Sequence, residues 1–80
     1  MIKLSTNAQA SRLLTARRKA LGLTQATVAS RLGISQNRFS EIEKQPSQMS
    51  LDRLLSLLGI LNVELLLQER EINAPTQTEW

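Results

Sequence analysis

The stretch "TQATVASRLGISQNRFSEIEK", residues 24–44, decides how this chain is read. Thr24 and Ser35 each stand where a hydroxyl can cap a helix N-terminus, and between them Gly33 supplies the left-handed residue that ends a helix. A short helix over about 25–32, with Val28, Ala29 and Leu32 turned inward, is therefore followed almost at once by another. That second helix buries Phe39 and Ile42, with Ile34 packed at the turn, and stops before Pro46, which pushes Gln45 out of the α region. What remains on its outer side is Gln36, Asn37, Arg38, Ser40 and Glu41.

Upstream, Thr6 with Gln9 three residues later is a capping-box pattern, and Ala10, Leu14, Arg18 and Leu21 recur at helical spacing up to Gly22, predicting a helix over about 7–20. Downstream, Ser50 caps a further helix whose stripe is Leu51, Leu54, Leu55, Leu58 and Leu61, ending at Asn62. Val63, Leu65 and Leu67 then alternate with Glu64 and Gln68, a period of two that predicts a strand over about 63–68. The chain offers this strand no other strand to pair with, so its expected partner is its own copy in a second subunit. Residues 73–79, NAPTQTE, are polar and expected to be disordered, and Trp80 follows them. The organisation read is a domain over 1–62, a dimerisation strand over 63–69 and a tail over 70–80.

Composition narrows the function. Eighty residues allow one small core, and with 41% apolar residues, one Phe, one Trp and no Tyr that core must be interlocked aliphatic helices. Neither Cys nor His is present, which removes disulfides, thiolate nucleophiles, imidazole bases and the commonest zinc ligands. The acidic residues Asp52, Glu64, Glu69 and Glu71 form no pattern of paired acid and base, so no enzyme, cofactor or metal is expected. The N-terminal MIKLSTNAQ has no apolar leader, and the apolar run from Leu54 to Leu67 is broken by Ser56, Gly59, Asn62 and Glu64, which reads as a soluble cytoplasmic protein.

The net charge of +3 conceals an asymmetry. Residues 1–44 carry eight Lys and Arg against Glu41 and Glu43, whereas residues 45–80 carry Arg53 and Arg70 against five acidic residues. A basic N-terminal half suggests a polyanion as its partner and a different partner for the rest.

Two short helices joined through Leu32, Gly33, Ile34 and Ser35 make a helix-turn-helix arrangement, in which the second helix can enter the DNA major groove. There an amide pairs with adenine N6 and N7, and a guanidinium with guanine O6 and N7, so Gln36, Asn37, Arg38, Ser40 and Glu41 are the candidate base readers. Glu41 must accept from cytosine or else be a surface charge turned away from the groove. Phosphate contacts are expected where helix N-termini face the backbone, at Thr24, Gln25 and Ser35, with Arg17, Lys44 and Gln45 beside them. Arg18 lies between Leu14 and Leu21 on the buried stripe of its helix, where an unpaired charge is costly, and Glu43, next to Ile42, is its expected partner.

The string "ARRKALGLTQATVASRLGISQNRFSEIEK", Ala16 to Lys44, resembles the Cro/repressor-type (XRE) helix-turn-helix domain, and the likeness extends over roughly residues 7–62. More narrowly, the LTQ entry to the second helix, the Leu-rich fourth helix running into a single strand, and a tail ending in Glu-Trp resemble the HipB antitoxin group. The resemblance implies an all-α, compact four-helix lambda-repressor-like domain with one C-terminal β-strand that pairs across a dimer. It also implies that Gln36 holds a position commonly used for base reading, and that Arg18 and Glu43 form a structural pair. Thr27 departs from the pattern, since Glu is frequent there, as do Arg38 and Glu41, which replace residues usually smaller or neutral.

A lone helix-turn-helix makes few contacts, so a twofold homodimer is expected on a palindromic operator, with Leu55, Leu58, Val63, Leu65 and Leu67 as interface candidates. From the HipB resemblance would follow a bacterial, nucleoid-associated repressor of its own operon that also neutralises a HipA-type serine/threonine kinase toxin. Trp80 would then be a hook for the toxin or for a degradation machine. The alternatives are a free-standing phage-type repressor without a toxin, and a helical adaptor that binds protein through its leucine face.

Overall fold

Each of the four α-helices begins at a side-chain hydroxyl. In the computed structural model, which describes residues 2–70, these are α1 (Asn7–Ala20), α2 (Gln25–Leu32), α3 (Gln36–Lys44) and α4 (Leu51–Ile60). Thr6 Oγ1 accepts from the Gln9 amide at 3.1 Å while the Gln9 side chain accepts from the Thr6 amide, closing the capping box. Thr24, Ser35 and Ser50 cap α2, α3 and α4 in the same way, at 3.1, 3.0 and 3.1 Å. The Thr27 hydroxyl, which stands where an acidic residue would close a capping box, instead accepts from the Thr24 hydroxyl at 3.0 Å.

Between α2 and α3 the chain turns within three residues. Gly33 lies at φ 75°, the left-handed region that a side chain disfavours. Its amide bonds Ser30 O at 3.1 Å and the next amide, that of Ile34, bonds Ala29 O at 3.0 Å, so the last carbonyls of α2 are satisfied as the chain reverses. Leu32 and Ile34 flank the turn and pack against the core.

That core is Leu14, Val28, Ala29, Phe39, Ile42, Leu57, Leu58 and Leu61, with α2 packed on both α3 and α4 and α1 on α3. Two sequence expectations are corrected here. Leu57 is fully buried and was not on the stripe read for α4, whereas Leu51 and Leu55, which were, are 64% and 46% exposed. Leucine or isoleucine occupies seven of the positions from 51 to 61, so several phases fit the spacing, and contact with α2 selects the one that faces Leu57 inward. Leu21 was likewise read as buried, but as the C-cap of α1 it lies 40% exposed.

The link after α3 contains a 3₁₀ turn, Pro46–Gln48, with Pro46 buried. Gln45 has left the α region at φ −129° and ψ 71°, as a residue preceding proline must. After α4, Asn62 takes a positive φ of 59° and residues 63–70 continue without helix. Among the described residues no β-ladder forms, and the strand read over 63–68 is not present there as regular structure. The tail expected over 70–80, including Trp80, lies outside the described residues except for Arg70. No helix among the described residues is long and apolar enough to cross a membrane.

Candidate nucleic-acid interface

α3 is amphipathic in a way that separates structure from display. Phe39, Ile42 and Glu43 are buried; Gln36, Asn37, Arg38, Glu41 and Lys44 are exposed, and Ser40 is half-buried. Nine residues at 1.5 Å each give a rod about 13 Å long, close to the width of the major groove of B-DNA. The outward groups are two amides, a hydroxyl, two cations and the Glu41 carboxylate, and no apolar side chain interrupts them. Neither α2 nor α3 carries an acidic residue in its first turn, so the positive end of each helix is left unneutralised, and both capping hydroxyls, Thr24 and Ser35, are exposed.

What fixes α3 relative to α2 is a buried polar cluster. Arg18 Nε donates to Glu43 Oε2 at 2.7 Å and Nη2 to Oε1 at 3.3 Å, a two-pronged pair whose side chains are 10% and 4% exposed. Arg18 Nη1 donates to Leu23 O at 3.0 Å, and Gln25 Nε2 donates to Glu43 Oε1 at 2.8 Å. One carboxylate on α3 therefore holds α1 and the first residue of α2, and Arg18 in turn ties down the loop between them. Burial of two charges is tolerable here because they are paired and each makes three hydrogen bonds within the protein. The Gln25 side chain, read from sequence as a phosphate contact, is bonded inward to Glu43, leaving its main-chain amide and the helix end as the part of Gln25 available to an anion.

Arg17 also needs a different account. Its Nε donates to Leu61 O at 2.9 Å and its Nη2 to Asn62 O at 3.4 Å, so it satisfies the carbonyls at the C-terminal end of α4. That is a tie between the first and last helices, and the guanidinium is held there rather than free beside α2. Gln45 accepts a hydrogen bond from Asn7 Nδ2, and Asn7 Oδ1 accepts from the Ser47 amide at 2.8 Å, so α1 grips the link that follows α3 at two points. Asn7 was not singled out in the sequence, because a first-turn asparagine carries no signal of a partner 40 residues away. Lys44 is exposed at the last turn of α3.

Arg38 and Glu41, both on the exposed side of α3, are paired with each other, Nη1 to Oε1 at 3.2 Å. The interface candidates divide into two groups. Leu58 is buried in the core of the single chain, Val63 is half-buried, and Leu55, Leu65 and Leu67 are exposed at 46%, 44% and 92%. Leu58, Val63 and Leu65 border a groove of about 630 Å³ with Ile2, Leu4 and Leu66, three apolar residues that the sequence reading passed over. The alternation that pointed to Val63, Leu65 and Leu67 gave Leu66 no role, and an N-terminal pair at 2 and 4 is too short a segment to show a period.

α2, the reversal at Gly33 and the displayed face of α3 define a helix-turn-helix protein of the DNA-binding class. The chain belongs to the helix-turn-helix family, whose sequence model matches residues 14–68. No curated protein matches it by sequence. Among solved structures it is similar to HipB in a HipB-O1-O2 complex, with a TM-score of 0.74 and 25% identity over 86% of this chain and 100% of that one. It is similar also to a chain in a HipA-HipB-O2-O3 complex, with a TM-score of 0.76 and 24% identity over 89% of this chain and 100% of that one.

Proposed function

We propose that this protein is a dimeric, sequence-specific DNA-binding repressor of its own operon and the antitoxin of a HipBA-like toxin-antitoxin pair, acting in the bacterial cytoplasm on the nucleoid and having no catalytic activity of its own. The observation that carries the reading is the displayed face of α3, with Gln36, Asn37 and Ser40 in view beside two helix ends that bear no acidic residue. Amides and hydroxyls at such positions meet base edges, and the unneutralised ends of α2 and α3, at Thr24, Gln25 and Ser35, meet phosphates on either side. Lys44 adds a point charge at the far end of α3.

Two copies are needed because one α3 spans only a few base pairs. Leu55, Leu65 and Leu67, exposed beyond the core, are the surface for the second copy, sealed by pairing of residues 63–68 across the twofold axis. The antitoxin role draws on the likeness to HipB, which was solved in a HipA-HipB-O2-O3 complex; the corresponding partner here is a HipA-type kinase, with Trp80 as a contact.

A gel shift of the full chain on DNA upstream of its own gene, against a shuffled duplex of equal length, tests the DNA role. Binding at nanomolar protein to the first duplex alone is expected, and equal binding to both overturns specificity. Co-expression with the product of the neighbouring gene, expected to be a HipA-type kinase, tests the antitoxin role: a complex that suppresses the kinase is expected, and absence of any complex reduces the protein to a free-standing repressor.

A further inference from the structure

Arg38 and Glu41 sit one turn apart on the exposed side of α3, and their contact is made by a single nitrogen. Arg38 Nη1 donates to Glu41 Oε1 at 3.2 Å and, at the long limit of 3.5 Å, to Gln48 Oε1 on the 3₁₀ turn. Among the described residues neither Nε nor Nη2 of Arg38 has a hydrogen-bond acceptor. The guanidinium thus keeps open one of the two edges with which arginine grips a pair of acceptors. Arg53 borders the same recess as Arg38, beside Ile42, Gln48 and Met49, so a second cationic residue lines that recess, while Glu41 supplies the carboxylate that Arg38 pairs with.

From this geometry we infer that Glu41 is a positioning residue: it holds the Arg38 guanidinium so that its Nε/Nη2 edge is presented to O6 and N7 of a guanine in the operator. The inference rests on the DNA-binding role proposed above and adds the base that this side of α3 reads. Glu41 touches no base. A carboxylate entering the major groove alone would face the phosphates' repulsion and have only cytosine N4 to accept from, whereas one already engaged by Arg38 carries its countercharge with it. The pair is half-exposed, with side chains 48% and 65% accessible, so its value lies in orientation rather than in stability. Fixing an arginine before binding removes part of the rotamer freedom that a guanine contact would otherwise have to remove.

The test is selection of duplexes from a randomised library by the full-length protein and by Arg38→Ala, Glu41→Ala, Glu41→Gln and the double Ala variant, with thermal melts to verify folding. The wild type should recover a consensus with a guanine at one position of each half-site, and Arg38→Ala should lose about tenfold discrimination there. Glu41→Ala should lose about three- to tenfold at that same base pair while binding random duplexes more tightly, since one negative charge is gone. Glu41→Gln, which keeps an acceptor for Nη1, should restore the preference, and the double variant should match Arg38→Ala alone. Relaxation by Glu41→Ala at a different base pair, losses that add in the double variant, or a Glu41→Ala profile identical to wild type each overturn the inference and leave the DNA role standing. A wild type that recovers no consensus overturns both.

Discussion

Gln25 and Arg18 meet on the same carboxylate: Glu43 accepts from Gln25 Nε2 at 2.8 Å and from Arg18 Nε and Nη2 at 2.7 and 3.3 Å. The N-terminus of α2 and the body of α3, the two parts proposed to touch phosphate and base, are therefore fixed to one another through a side chain that is itself buried.

Removing one member of that cluster should be far worse than removing the pair. Glu43→Ala leaves the Arg18 guanidinium buried with only Leu23 O as acceptor, and a loss of about 3–5 kcal/mol in denaturant unfolding is expected. Arg18→Met with Glu43→Leu replaces both charges by apolar volume, and most of that loss should be regained. A double variant as unstable as Glu43→Ala would contradict the assignment of the pair as a compensated burial.

Gln36→Ala should weaken operator binding by about 1–3 kcal/mol and relax preference at one base pair, while stability stays within about 0.5 kcal/mol. Gln36 is exposed and only its side chain is removed, so binding and folding are separable. Equal losses on operator and random duplexes, measured by gel shift, would rule out a base contact.

The phase of α4 predicts a contrast between neighbouring leucines. Leu57→Ala empties a fully buried site and should cost about 2–5 kcal/mol, whereas Leu51→Ala, at a position 64% exposed, should change stability by no more than about 0.5 kcal/mol. Urea melts of the two variants measure this directly.

If a dimer neutralises about six to ten phosphates, operator affinity should fall by about 10³ to 10⁵ between 50 and 200 mM salt. Lys44→Ala, which removes one such charge per subunit, should lower the steepness of the log-log plot by about two per dimer and weaken binding evenly across sequences. An unchanged slope would place Lys44 away from the backbone.

How much of this was legible in the sequence depends on the range of the signal. Caps act over three residues, and Thr6, Thr24, Ser35 and Ser50 give the start of each of the four helices, with Gly33 and Pro46 marking where α2 and α3 must stop. Arg18 and Glu43 could be matched because a charge on an apolar stripe demands a partner and few candidates exist. The phase of α4 was not recoverable, since a helix made almost wholly of leucine fits several orientations and only packing on α2 selects one. Long-range bonds to the main chain left no trace: Arg17 to Leu61 O spans 44 residues, Asn7 to the Ser47 amide spans 40, and in both the acceptor or donor is main chain, which every residue carries. The candidate site was read as a set of residue types in order; that Gln25 turns inward and that Arg38 and Glu41 hold each other depend on rotamers, which spacing does not encode.

The sharing of Glu43 has an evolutionary corollary. Because the N-terminus of α2 and the body of α3 are locked as one piece, the domain in its proposed role would work like a caliper of set opening: a changed target would be met by exchanging the tips at residues 36, 37, 38 and 40, while the frame beneath stays as it is. New binding preferences can thus be drifted into or engineered by a handful of replacements on one helix, with no redesign of the scaffold that carries them.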